Sequence, residues 1–331
     1  MNDPTKIPED LLKRLGLKIG HYTDKDNITG LTVFVAEQSA DIGIDIRGSN
    51  TGTFNTPAFE PKAVGNSVQA VVLTGGSTFG LASAVGVMEE LVDMGIGNKT
   101  RAGIVPATTG AVIYDIAVGT NTHPALNEGR QAVKNAVDSL PEQGNSGVGT
   151  GAVVGKWFRG KLMKGGFGIG ISYLPHDIIV AAFTVTNALG DIVNPQTGEF
   201  YSESGKQSAI HSTFGDSLEH LTATMNLSGN TTLTVIATNV AMSKEQLMKV
   251  AEFTHDGYAR AIHPIHTNMD GDVVFAISSK TGERITFPKI NPSTLVDFVG
   301  MGAQEAVVNA INNSIKNAKS IEGYPSWNSQ S

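Results

Sequence analysis

The stretch NLSGNTTLTVIATN, residues 226–239, decides how the rest of the chain is read. Its second half, TTLTVIATN, is a short β-branched run behind Gly229 and Asn230, which predicts a turn feeding a buried strand. The same residues admit a second reading, a cut site. A hydroxyl on Thr231 that attacks the carbonyl just before it turns the peptide into an ester, which water opens. Gly229 permits an unusual backbone conformation at such a bond, and strain there assists the attack. The freed α-amino group has a reference pKa of about 7.7–8.0 and sits beside the same hydroxyl. Thr231 would then supply both nucleophile and general base. Spacing alone leaves both readings open, because Gly-Asn-Thr-Thr is also an ordinary turn into a strand.

Downstream of this run, residues 244–260 predict a helix, DVVFAISS a strand and residues 295–316 a long helix. The tail SIEGYPSWNSQS reads as frayed. Upstream, residues 204–229 are polar and rich in Ser and Thr, the signature of a loop or linker with at most a marginal helix. Before them, residues 149–193 hold short glycine-punctuated apolar runs, read as three strands with hairpin turns. Residues 123–140 predict a helix closed by Pro141, and GAVIYDIAVG a strand. QAVVLTGG predicts a buried strand, followed by a helix over 79–95. Ile42, Ile44 and Ile46 alternate with polar residues as a half-buried strand, and residues 9–15 suit a short amphipathic helix. Grouped strands with helices between them point to a single α+β domain or layered α/β sandwich.

The chain has 331 residues, ample for a sizeable core, and 24 basic against 31 acidic residues give a net charge of −7 without a block of like sign. No basic face is available for nucleic acid. The absence of cysteine excludes disulfides, thiolate nucleophiles and cysteine-held metals. The polar start lacks the apolar core of a signal peptide, and no run approaches the roughly 20 apolar residues of a bilayer span. A cytoplasmic protein is expected. The 38 glycines lie between apolar runs, as tight turns and close backbone packing require.

Two further stretches invite function. GGSTFG follows a strand and opens a helix, but Gly75, Gly76 and Gly80 do not match the spacing of a dinucleotide loop. HDGYARAIHPIHTNMDGD holds His255, His263, His266, Asp270 and Asp272. Its histidines do not share a helical face, and Val273 stands where a calcium loop needs glycine. Asp270 and Asp272, two apart at the mouth of a strand, are placed to accept hydrogen bonds from a hydroxyl and an ammonium on one side. A solvated Asp-Gly-Asp turn fits as well.

In this order, VVLTGGSTFGL, GAVIYD, GNTTLTVIATNVAMS and HPIHTNMDGDVVFAISS resemble the P1 family of self-processing aminopeptidases and amidases, from about Gly20 to Ala310. Within it the match points to the endo-type 6-aminohexanoate-oligomer hydrolases. The resemblance implies two central sheets flanked by helices, with Thr231 exposed by cleavage after Asn230. The α chain 1–230 and β chain 231–331 would stay associated, as a tetramer of αβ units, with no metal or organic cofactor. It implies that Asp270 and Asp272 hold the nucleophile's hydroxyl and amine, and that Lys156 lies near that nucleophile. It further implies that Asn187 donates to the developing oxyanion and that Tyr114 lines the cleft. Without the resemblance, these last three read as a hairpin lysine, a turn asparagine and a strand aromatic. The serine-type aminopeptidases of the family carry serine at the nucleophile, and serine and glutamate where Asp270 and Asp272 stand. Asn268 occupies a place where the oligomer hydrolases carry aspartate, so it is a candidate contact for a substrate amine.

Overall fold

A computed structural model describes residues 7–65, 67–157, 162–203 and 229–329. Its nine-stranded mixed sheet comprises β1 (Lys18–Asp24), β2 (Thr29–Ile46), β3 (Thr53–Phe54), β4 (Ser67–Thr74), β5 (Thr108–Val112), β6 (Gly166–Leu174), β7 (Ile178–Asn187), β8 (Thr231–Thr238) and β9 (Val273–Ser279). The order across it is β6-β7-β8-β9-β2-β4-β5-β3, with β1 also on β2. Only β8 with β9, and β4 with β5, run parallel.

The two expected central sheets are the halves of this one sheet, joined through the 18-residue β2. Residues 29–35 of β2 pair with β1 and β4, residues 40–46 pair with β9, and the register shifts between Val35 and Ala40. Glu37 and Gln38 are exposed at this break, and Ser39 adopts φ +70°. A bulge of this kind bends a strand and increases its twist. The halves then face each other. Phe34 of β2 lies edge-on to Phe183 of β7, with ring centroids 5.5 Å apart, although β8 and β9 separate the two strands in the sheet.

Helix α1 (Leu11–Leu15) adds three leucines to the core between the halves. Helices α2 (Ala82–Asp93) and α3 (Leu126–Lys134) cover the outer face of one half. Helices α4 (Lys244–Ala261) and α5 (Pro292–Lys316) cover the other. Local chemistry starts α4: Ser243 and Gln246 form a capping box. At α5, Asn291 accepts from the Ser293 N–H and proline fills the first turn. The glycines of β6 let α5 lie close on that strand. A Cβ at Gly168 would stand 2.1 Å from the Ala310 carbonyl oxygen, and one at Gly170 2.0 Å from that of Ala306. Among the described residues no helix is long and apolar enough to cross a membrane.

Several expectations need correction. Helix α3 ends at Lys134 instead of running to Leu140. Asn135 donates to the His21 carbonyl, and Val137 exchanges two backbone hydrogen bonds with Ile19, so this segment leaves the helix to pair with the edge of β1. The strand expected at GAVIYDIAVG starts at Thr108 and stops at Val112. Ile113 donates to the Thr74 carbonyl and accepts from the Ser77 N–H, which takes Tyr114 out of the ladder. The tail is not frayed through residue 329. Lys164 N–H donates to the Pro325 carbonyl, and Trp327 packs edge-on against Tyr201 at 5.3 Å. The Ser- and Thr-rich segment read as a loop lies, apart from Gly229, outside the described residues.

Candidate active site

Thr231 is the first residue of β8, a strand buried at all eight positions. With both faces covered, such a strand reads as a continuous run instead of an alternation. Thr232 Oγ1 has no hydrogen-bond partner among the described residues, whereas other interior hydroxyls of the strand find one. Thr234 Oγ1 does so with Thr184 Oγ1 at 2.8 Å and with the Tyr258 hydroxyl at 2.7 Å.

At the head of β8 the chain is shaped around one peptide bond. Gly229 has φ +97°, a conformation that residues with a Cβ rarely adopt. A Cβ there would stand 2.0 Å from Tyr114 Cβ and 2.1 Å from its Cγ, so Tyr114 packs directly on this backbone. The Thr231 hydroxyl donates to the Asn230 carbonyl oxygen at 2.5 Å. The same oxygen accepts the Gly271 N–H at 2.7 Å. An N–H aimed at that oxygen is placed to stabilise the charge it would gain under attack.

Asp270 and Asp272 flank Gly271, both fully buried. Asp272 Oδ1 accepts the Thr232 N–H at 2.7 Å, and its Oδ2 accepts from His266 Nδ1 at 2.9 Å. Asp270 Oδ2 accepts from the N–H and hydroxyl of Thr267, at 2.9 and 2.6 Å, and its Oδ1 accepts from the Leu189 N–H at 3.3 Å. Burial, and then the neighbouring charge of Asp272, push the Asp270 carboxyl up to about 6. The loop after β2 clamps this backbone: Asn50 N–H donates to the Asp270 carbonyl, and the N–H groups of Arg47 and Gly48 to that of Asp272.

Asn187, the last residue of β7, stands opposite Thr231 in the ladder. Its Nδ2 donates to the carbonyls of Gly229 at 3.2 Å and Tyr114 at 3.3 Å. Its Oδ1 accepts from the Val153 N–H and from Lys156 Nζ, which also donates to the Asn187 carbonyl at 3.1 Å. Lys156 is 7% exposed. Burial lowers its ammonium to about 7, with Asp270 pulling the other way.

The residues singled out in the sequence thus converge, with one exception. Asn268 is exposed on the turn before Asp270. Among the described residues the acidic pair does not bond the Thr231 hydroxyl. It fixes Thr232 and the 267–272 turn instead. Sequence reasoning missed the Gly271 N–H, since a backbone donor leaves no side-chain signal. It weighed His266 only as a metal ligand.

Replacing Gly229 by alanine tests the shape of this bond. If the Thr231 hydroxyl cuts the chain at this bond, the expected outcome is an uncut precursor that accumulates on a denaturing gel, with conversion slowed at least about tenfold. The strained φ alone costs on the order of 1–3 kcal/mol, before the overlap with Tyr114 is relieved.

Comparison with known proteins gives the family and the fold. The model of peptidase family S58 matches residues 15–327. An uncharacterized aminopeptidase of Mycobacterium tuberculosis is 32% identical, covering 94% of this chain and 95% of its own length. A 6-aminohexanoate-oligomer endohydrolase of Paenarthrobacter ureafaciens is 29% identical over 87% of this chain and 80% of its own. Among solved structures, the L-aminopeptidase D-Ala-esterase/amidase of Ochrobactrum anthropi superposes with a TM-score of 0.70 at 19% identity, over 97% of this chain and 91% of that one. A Burkholderia sp. beta-aminopeptidase gives 0.68 at 16% identity, over 94% and 88%. The last two share the fold, a variant of the Ntn-hydrolase architecture.

Proposed function

The chain belongs to peptidase family S58 and is a hydrolase of amide bonds; from that premise we propose that it cuts itself between Asn230 and Thr231 and works as an N-terminal-threonine amidase. One observation carries the reading: the Thr231 hydroxyl and the Gly271 N–H meet on the Asn230 carbonyl oxygen, at 2.5 and 2.7 Å.

In the first reaction Thr231 Oγ1 bonds to the Asn230 carbonyl carbon, and the C–N bond to residue 231 breaks. The nitrogen takes up a proton as the α-amino group, and water hydrolyses the resulting ester. Fragments 1–230 and 231–331 stay together because two strand pairings cross the cut, β8 with β7 and β9 with β2. In the second reaction the freed amine takes the proton from Oγ1 as it attacks an amide carbonyl of the substrate. The leaving amine receives that proton, and water releases the acid from the acyl-enzyme. Asn187 and Gly271 are the oxyanion donors in this scheme. Lys156 disfavours protonation of the Thr231 amine by like charge, and Tyr114 and Asn268 contact substrate. Side chains and water balance both reactions. Association of the cut units into a tetramer belongs to the same reading.

For the substrate we propose linear amide oligomers of the 6-aminohexanoate type, supported by Thr231 with the Asp270–Asp272 pair and by the endohydrolase relative. The identities do not separate this from an aminopeptidase, since the mycobacterial relative stands at 32% and the endohydrolase at 29%. The test has two arms. Intact mass of the purified protein should give two fragments that divide before residue 231. Hydrolysis of a 6-aminohexanoate oligomer should then exceed that of a peptide p-nitroanilide. One uncut active chain would refute the mechanism, and turnover of the anilide alone would refute the substrate.

A further inference from the structure

Asp272 is wholly buried, and its two oxygens face different partners. Oδ1 holds the Thr232 N–H at 2.7 Å, one residue past the proposed nucleophile, and Oδ2 faces His266 Nδ1 at 2.9 Å. His266 reaches it from an uncommon backbone position, φ +58°. Non-glycine residues held in that region cost free energy and persist where surrounding structure imposes them, often at functional sites.

The rest of the ring is enclosed by α4. His255 stands edge-on at 4.8 Å between centroids, and Tyr258 lies at 6.0 Å with a 35° tilt. His266 Nε2 is buried and has no hydrogen-bond partner among the described residues. An orphaned acceptor costs less than an orphaned N–H in such a place, so the proton belongs on Nδ1, facing Asp272. On its far side His255 Nε2 meets the Asp45 carbonyl oxygen at 3.3 Å and a carboxylate oxygen of the same residue at 3.5 Å. Burial, and then the facing His266 ring, hold His255 near 3, so it stays neutral. The charged groups around His266 are therefore Asp272 directly, Asp270 beside it, Lys156 facing Asp270, and Asp45 with Arg47 beyond His255.

We propose that His266 is the positioning residue of the acidic pair. By holding Asp272 through Nδ1 it keeps that carboxylate aimed at the Thr232 N–H, and so fixes the head of β8 where Thr231 stands. This rests on the reading of Thr231 as nucleophile.

The test compares His266→Ala with His266→Asn, whose amide N–H can stand near the place of Nδ1–H. In the whole chain the alanine variant should lower kcat by about 10- to 100-fold, the worth of one charge-assisted hydrogen bond. KM should stay within about threefold, as when only transition-state stabilisation is lost. Asparagine should restore most of kcat. Hydrogen exchange at the Thr232 amide gives a readout independent of activity. In a Thr231→Ala background, His266→Ala should lose about tenfold protection or more, and His266→Asn should regain it. If the Thr232 protection stays put while both variants merely melt earlier, the positioning role is overturned. If the protection responds but the wild-type chain is neither cut nor active, the positioning stands and the nucleophile reading falls.

Discussion

Thr231→Ala is expected to accumulate as a single uncut chain and to hydrolyse no amide above the uncatalysed rate. In the proposed mechanism two functions fall together because one side chain serves both. There the hydroxyl that contacts the Asn230 carbonyl oxygen at 2.5 Å is the attacking atom for the cut. Without the cut there is no free amine to act as base. Removing a nucleophile that acts as a unit with its base costs on the order of 10⁴- to 10⁶-fold in kcat. Thr232 offers no substitute. Successive residues in a strand point to opposite faces, and the Thr232 N–H is already committed to Asp272. Thr231→Ser, which keeps the hydroxyl, should still cut and should expose serine at the new terminus. Intact mass and terminal sequencing check both variants. A Thr231→Ala preparation that divides normally would remove the mechanism.

What could be read in advance follows from how local each signal is. The strand at 231–238 and the helices at 244–261 and 292–316 carry their own punctuation: a glycine turn, the Ser243 box, and Pro292 behind Asn291. Strand β2 was legible only in its second half, where Ile42, Ile44 and Ile46 alternate with polar residues. Its first half is buried on both faces and loses the period that would mark it. The end of α3 was illegible because its cause is tertiary, the pairing of Val137 with Ile19.

The site divides in the same way. Thr231 and the Asp270–Asp272 pair are adjacent in sequence to the turns that position them, so their chemistry could be argued from spacing. Lys156 and Asn187 came only through family resemblance. Their proximity to residue 231 depends on the register that sets Asn187 opposite Thr231, and a single sequence does not encode that visibly.

Lys156→Met should separate activity from stability, losing the first while gaining the second. In the native chain Lys156 Nζ braces Asn187 through two acceptors, at 3.1 and 3.2 Å, and so aims Asn187 Nδ2 at the Gly229 carbonyl. Methionine fills the space but supplies neither donor nor positive charge. Under the proposed mechanism the oxyanion donor loosens, and the Thr231 amine no longer feels a like charge that keeps it neutral. Loss of one oxyanion donor is worth about 10²- to 10³-fold in kcat, and the acid limb should move upward as the amine becomes easier to protonate. Stability runs the opposite way. Burial holds the Lys156 ammonium near 7, below its usual 10.5, so between those values the unfolded chain binds more protons than the folded one. Stability therefore rises with pH across that window, and the full cost of the buried charge is present below pH 7, on the order of a few kcal/mol. Methionine removes that cost. Measured in the uncut Thr231→Ala background, Lys156→Met should melt at higher temperature at pH 6 and lose part of the stability gain between pH 7 and 10.5. Lys164, also buried and lowered to about 7, supplies the slope that remains. An equal melting temperature at pH 6 would show that the buried ammonium carries no such cost, and activity retained within tenfold would show that catalysis does not need the brace on Asn187.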